Sequence, residues 1–392
     1  MKASLVFLCL LHAVTATQED FTKIHNDFGV ALYHKLGELR PNVFLSPLSV
    51  ATIIGMVHLG ARGASRDQLE TVLGYRDAGI SGEDAHVAYQ KLLDKILADK
   101  QGYSLTVASA VFVSTGTPVF AKYQKNLQKY YQSGLYSADF AGSSVEAAED
   151  INLWVRDTTG DKVPTILDRP LPPSIPLLVL NAVHFKGKWE NQFKVDNTEK
   201  EAFYNRGTDA VDVDMMHQSA ELVYTYSEDM NAQILELPYV GEHVLMVLVL
   251  PAEKTGLPSL ESKFSLEALR ENLERAIKQK VKLSLPRFKL QETYNLKKPL
   301  QALGLRSVFE KPGANLTGIA ARPPLALDEI LHKALLQVDE EGSEAVAVSG
   351  GIISHSRLPP KEVVFKADHP FLFLIEDVRS SAVLFIGRLQ EL

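Results

Sequence analysis

Near its C-terminal end the chain reads Val338-DEEGSEAVAVSGGIISHSRLP-Pro360. Three acids and a glycine open the passage. Small and β-branched residues follow, then His355, a lone Arg357, and two prolines. Taken with a period of two, the segment has two faces. Ser343, Ala345, Ala347, Ser349, Gly351 and Ile353 form one, and it is almost wholly small. Glu344, Val346, Val348, Gly350 and Ile352 form the other, and its glutamate belongs in water. That is the pattern of a strand buried on one side. Gly350 and Gly351 lower the strand propensity, and no turn pairs the segment with a neighbour. The pattern fits a segment that is a strand in one state and a loop in another. It fits an ordinary surface loop as well.

The rest of the chain narrows the choice. Its 392 residues have the composition of a soluble globular protein. Length alone suggests two or three domains of roughly 150 residues each. A net charge of −7 argues against a nucleic-acid footprint, because phosphate binding wants a basic face. At the N-terminus, Lys2 precedes an apolar run from Ala3 to Leu11, and Val14-Thr15-Ala16 supplies small residues before polar TQED. This predicts a secretory signal at 1–16, cleaved after Ala16, with the working protein at 17–392. No later run is long and apolar enough for a membrane helix. An extracellular, soluble, monomeric protein is expected. Cys9, the only cysteine, lies in the signal, so the mature chain has no disulfide and no thiol nucleophile. Asn315-Leu316-Thr317 is an N-glycosylation sequon beside Pro312 and Gly313, which predicts a surface loop and a glycoprotein.

Helical spacing joins Phe28, Ala31, Leu32 and Leu36, and joins Tyr89, Leu92, Leu93, Ile96 and Leu97 within His86–Ala98. Ser265 is placed to cap a helix running to about Lys278. Leu177–Leu180, Ile234–Tyr239, Val244–Leu250, Val281–Leu290 and Val363–Gly387 read as strands. Helices first and strands later, in one unbroken chain, predict an α+β fold. GxSxG, HExxH, P-loop and GxGxxG motifs are missing. None of the ten histidines of the mature chain pairs at metal-ligand spacing. An enzyme is therefore not expected, and neither is a cofactor or a metal.

The stretch EEGSEAVAVS (Glu340–Ser349) resembles the hinge of the serpins, inhibitors that trap serine proteases. Other stretches are similar to serpin signatures: NVFLSPLSV (Asn42–Val50), LGARGAS (Leu59–Ser65), INLWVRDTTGDKV (Ile151–Val163) and LNAVHFKGKWENQF (Leu180–Phe193). So are ILELPY (Ile234–Tyr239), LSLPRFKL (Leu283–Leu290), FKADHPFLFLI (Phe365–Ile375) and LFIGR (Leu384–Arg388). The resemblance spans essentially the whole mature chain in order. It implies one domain of three β-sheets and eight to nine helices, with an exposed reactive-centre loop at about 340–360. It implies inhibition by suicide: a protease cuts the loop and is held as an acyl-enzyme. The loop then inserts into the largest sheet and drags the protease with it. The native state is then a kinetic trap.

The resemblance also assigns roles. Glu340, Glu341, Gly342, Ser343, Glu344, Ala345, Val346, Ala347 and Val348 become the hinge, whose small face enters the sheet. Ser46, Ser49, Asn181 and His332 match a buried polar cluster, the shutter, where the sheet opens, and Trp189 and Phe193 match core positions near the insertion end. Loop length from Gly342 puts the cut at Ser356-Arg357, which suits an elastase-like pocket. Chemistry favours Arg357-Leu358, because Arg357 is the only lysine or arginine between Lys333 and Lys361 and a trypsin-like protease binds that charge. Arg275, Lys278, Lys280 and Lys282 form a basic cluster suited to heparin or a related glycosaminoglycan, with Lys91, Lys95 and Lys100 along the second helix. The alternative is a non-inhibitory serpin that carries a ligand or acts as a chaperone. Val346 and Val348 depart from the family's usual alanine run in that direction.

Overall fold

The computed structural model describes residues 18–80, 82–98, 102–341 and 362–392. Nine α-helices lie among the described residues: α1 Gln18–Gly37, α2 Pro47–Gly60, α3 Gly63–Val72, α4 Glu83–Ala98, α5 Ala121–Tyr131, α6 Ser144–Thr158, α7 Leu257–Lys263, α8 Leu266–Leu273 and α9 Lys297–Ala302. The first strands are β1 Val43–Leu45, β2 Tyr103–Ser114, β3 Gly134–Ala138, β4 Leu177–Gly187, β5 Thr198–Asn205, β6 Asp209–Ser227 and β7 Ala232–Pro238. They continue with β8 Val244–Pro251, β9 Ile277–Pro286, β10 Phe288–Asn295, β11 Glu329–Val338, β12 Val363–Lys366, β13 Phe371–Asp377 and β14 Ala382–Leu389.

Helix α2 sits at the centre because its sequence, PLSVATIIGMVHLG, is apolar on every side. Ser46 caps it by accepting from the Ser49 N–H, and Pro47 begins it without wasting a donor. In α1 the stripe Phe21, Phe28, Leu32 and Leu36 is buried, whereas Ala31, expected on that stripe, is exposed.

A five-stranded sheet runs β10-β11-β4-β2-β3. Its two faces separate by the period of two. Leu178, Leu180, Ala182, Leu331 and Leu335 face Ile151 and Val155 of α6, while Val179, Val183, Ile330, Ala334 and Leu336 face the main core. A nine-stranded network runs β1-β14-β13-β8-β7-β6-β9-β12, with β5 on β6. Strand β6 joins its halves. Asp209–Met216 pairs with β5, and Val223–Ser227 pairs with β7. Counting the halves separately gives three sheets in one α+β domain, as expected.

Local expectations needed correction in places. Ser265 does cap its helix, through Ala268 N–H, but α8 stops at Leu273. Lys278 lies instead on β9, where Ile277 pairs opposite Tyr224. The run expected at Leu177–Leu180 extends to Gly187, and the run Val281–Leu290 breaks at Arg287 into two strands.

Candidate functional site

Strands β4 and β11 are the middle of the five-stranded sheet, and they run parallel. Their register is continuous from Glu329 opposite Leu178 to Leu336 opposite Phe185. The two strands bond directly to each other along this length, with no strand between them.

Beyond Phe185 the seam is closed by a clamp. Gly187 ends β4 against Tyr239, where a Cβ would meet the ring at 2.5 Å. The chain then turns so that Trp189 stacks on Tyr239, centroids 4.4 Å apart. Trp189 Nε1–H donates to Asp339 O at 2.9 Å, and its backbone N–H donates to Glu341 O at 3.4 Å. Phe193 N–H donates to Glu340 O at 3.0 Å. Trp189 and Phe193 are both buried, as the sequence implied.

Glu340 is also buried. Arg287 Nε–H donates to its Oε2 at 3.1 Å, Arg287 Nη2 pairs with its Oε1, and Thr198 Oγ1–H reaches the same oxygen at 2.7 Å. Burial pushes the Glu340 carboxyl up, but the hydrogen bonds from Arg287 and Thr198 outweigh it and hold the group below the usual carboxylate range. Asp214 lies 3.8 Å from Arg287 on its other side. Residues 342–361 follow at once. The hinge positions from Gly342 to Val348 and the bond positions Ser356, Arg357 and Leu358 lie outside the described residues, as do Lys100 and the predicted signal at 1–16.

Midway down the seam lies the polar cluster. Ser46 N–H donates to His332 Nε2 at 3.1 Å. The ring proton is therefore on Nδ1, which donates to Asn181 Oδ1 at 2.9 Å. Asn181 Nδ2 donates in turn to Ser109 Oγ at 2.9 Å. His332 is in register with Asn181, and Asn181 with Ser109, so the three side chains form one rung across β11, β4 and β2. Burial pushes the His332 imidazole down to about 3, which keeps it neutral. Tyr294 stacks beside it at 6.5 Å and accepts from Phe44 N–H. Ser49 serves through its backbone, and its buried Oγ has no partner among the described residues.

The structure brings Ser46, Asn181 and His332 together, with Ser49 on the next turn. It adds Ser109, Thr198, Arg287 and Asp339, which sequence reasoning missed. Arg287 was legible only as a member of LSLPRFKL, since its partner is 53 residues away.

The basic cluster is arranged otherwise than a helix face. Lys278, Lys280 and Lys282 alternate along one exposed face of β9, and Arg275 lies in the turn before it. Glu221 stands opposite Lys280, and Glu362 is 3.7 Å from Lys280, so acids offset part of this charge. Asn315 is half-buried in the loop before β11. Ser284, His217 and Glu201 also meet: His217 Nδ1 is 2.9 Å from Ser284 Oγ, and Nε2 is 3.2 Å from Glu201. Ser284 is only 5% exposed, and Lys366 pairs with the other Glu201 oxygen at 2.7 Å. The trio ties β5, β6 and β9 together, and Lys366 adds β12. Among the described residues no three histidines, cysteines or acids are placed to hold a metal.

Comparison with known proteins gives one answer. Iripin-2 of Ixodes ricinus is 36% identical over 394 residues, covering 100% of this chain and 99% of its own. Leukocyte elastase inhibitor of Bos taurus is 36% identical over 380 residues, with 95% and 99% covered. The crystal structure of uncleaved ovalbumin matches with a TM-score of 0.85 at 29% identity, over 95% of this chain and 100% of that one. A family model described as serpin (serine protease inhibitor) matches residues 23–392, and the chain belongs to the serpin family.

Proposed function

We propose that this chain is a secreted inhibitor that traps a trypsin-like serine protease by suicide, through cleavage of its 342–361 segment and insertion of the N-terminal part into the five-stranded sheet. The supporting observation is the parallel β4–β11 seam, closed along its register and clamped where that segment departs. A chain that turns back after Glu341 and enters the seam runs antiparallel to both strands. One parallel ladder is then replaced by two antiparallel ones, which are slightly stronger per residue. That topology supports a hinge role for Glu340 to Val348, since the small face of Ser343, Ala345 and Ala347 would meet least resistance. The rung supports a shutter role for Ser46, Ser49, Asn181 and His332, because β4 and β11 cannot part until His332 releases Asn181. Export is supported by the apolar leader before Ala16, and a trypsin-like target by Arg357.

The test is incubation of mature protein with trypsin, followed by denaturing electrophoresis and mass spectrometry. A boiling-resistant band at the summed mass is expected, with a released peptide that starts at Leu358. Loop cleavage without that band would sink suicide inhibition of trypsin. A peptide that starts at Arg357 would move the bond to Ser356-Arg357. The name of the bovine relative, an elastase inhibitor, favours that second reading. A non-inhibitory serpin would show no gain in thermal stability on cleavage.

A further inference from the structure

We propose that Asn315 carries an N-linked glycan, placed at the pole of the molecule opposite the end from which residues 342–361 depart. The proposal rests on the export reading above. The sequon alone says little, because such triplets arise by chance, but the fold presents this one in a form that suits modification. Leu316 is buried to 1% exposure and pins the triplet, while Thr317 is exposed and Asn315 half-buried on either side. The Asn315 backbone is fixed by Ser65 Oγ, which accepts from its N–H at 3.0 Å, and by Arg62 N–H, which donates to its carbonyl at 2.9 Å.

Thr317 Oγ1–H donates to Asn315 Oδ1 at 2.7 Å. That bond uses the oxygen and leaves Nδ2 with no hydrogen-bond partner among the described residues. Beside Nδ2 stands Gly63, at φ +51, where a Cβ would come to 3.5 Å. On the Gly63 side, therefore, no side chain stands against Nδ2.

Topology sets the position. Phe120 N–H donates to Ile319 O, and Val119 bridges Ala320, so this loop lies just past Ser114, the last residue of β2. Tyr103, at the other end of β2, pairs with Gly187 beside the Trp189 clamp. The eleven residues of β4 span about 35 Å between those ends. A glycan here stands clear of the clamp.

The chemistry needs an oligosaccharide linked to a lipid pyrophosphate, the donor class of the secretory pathway. The anomeric carbon–oxygen bond to pyrophosphate breaks, and a bond from that carbon to Nδ2 forms. The lipid pyrophosphate leaves with the electron pair, and the amide gives one proton to a base.

The test is expression in eukaryotic secretory cells, with intact mass and peptide mapping before and after peptide N-glycosidase. One arm keeps residues 1–16, and a second replaces them with a proven secretory leader. Thr317→Val removes the hydroxyl and keeps the shape, and Thr317→Ser keeps the sequon. The expected result is a sugar-bearing wild type whose enzymatic release converts Asn315 to aspartate. Thr317→Ser should retain the glycan, and Thr317→Val should appear at the sugar-free mass. Wild type secreted sugar-free from the second arm overturns the proposal. Failure of the native leader alone overturns the export reading and leaves the Asn315 result to stand on the second arm.

Discussion

Glu340 and Arg287 form an unequal pair. The glutamate side chain is 5% exposed and the arginine 43%. Removing the arginine leaves a buried carboxylate without its cation, with only the neutral Thr198 hydroxyl and a backbone N–H to answer it, whereas removing the glutamate leaves a guanidinium that water still reaches. Breaking a fully buried pair costs 3–5 kcal/mol, and the exposure of Arg287 reduces this, so Arg287→Ala should cost about 2 kcal/mol. Glu340→Ala should cost about 1 kcal/mol, within the range for a half-exposed charged hydrogen bond. Urea unfolding of the two variants measures the difference, and equal costs would contradict this account of the clamp. The pair was not legible in the sequence. EEG and LPRF each read as local motifs, and only the β10–β11 ladder, with Phe288 opposite Val338, carries Arg287 to the hinge.

Strand β11 illustrates what pattern can and cannot deliver at the scale of elements. Its sequence EILHKALLQV puts a histidine and a lysine among apolar residues, and both are buried. Lys333 faces the α6 side and donates to Thr165 O at 2.7 Å, while His332 faces the rung. His332→Ala strips partners from the Ser46 N–H and the Asn181 side chain, each worth 1–3 kcal/mol when buried and unpaired, so a loss of about 3 kcal/mol is expected. Combined with Asn181→Ala, the costs should fall short of additivity by about 1 kcal/mol, because the two residues share one bond. Strict additivity in denaturant unfolding would mean that the rung is not a unit. The rung's strands were partly legible: the apolar run of β4 announced itself, and β2 with its Ser109 did not, because YSLTVASAVFVS mixes polar residues into both faces. At α8 the error was one of period. Lys278, Lys280 and Lys282 alternate with Gln279, Val281 and Leu283, a strand signal that competes with the cap at Ser265. Pairing with β6 decided the outcome.

Across the whole molecule, the interior stores neutral imidazoles. Burial pushes His25 down to about 4, and His86 and His332 to about 3. His58 is also held low, mainly by burial, against the raising effect of the Glu70 carboxylate 3.1 Å from its Nε2. Unfolded histidine titrates near 6.5, so below that pH the unfolded chain takes up protons that the folded chain refuses. These groups' contribution is therefore fully present above about pH 6.5 and declines as pH falls, until the folded state itself protonates, near 4 for His25 and near 3 for His86 and His332. For His25, His86 and His332 together the loss between pH 7.5 and pH 5.5 is about 4 kcal/mol. The ordinary acids change little over that interval, since unfolded carboxyls titrate near 4. Half-buried Glu236 and Glu376, whose carboxyls desolvation pushes up, take up protons in the folded state first and oppose the trend toward its acid end. His25 isolates the effect, because its Nε2 is buried with no partner among the described residues and its replacement breaks no bond at that atom. His25→Leu should unfold near the wild-type urea midpoint at pH 7.5, yet be more stable than wild type at pH 5.5 by about 1.4 kcal/mol. A His25→Leu protein with the wild-type pH dependence would show that this histidine is already protonated, or already open to water, in the native fold.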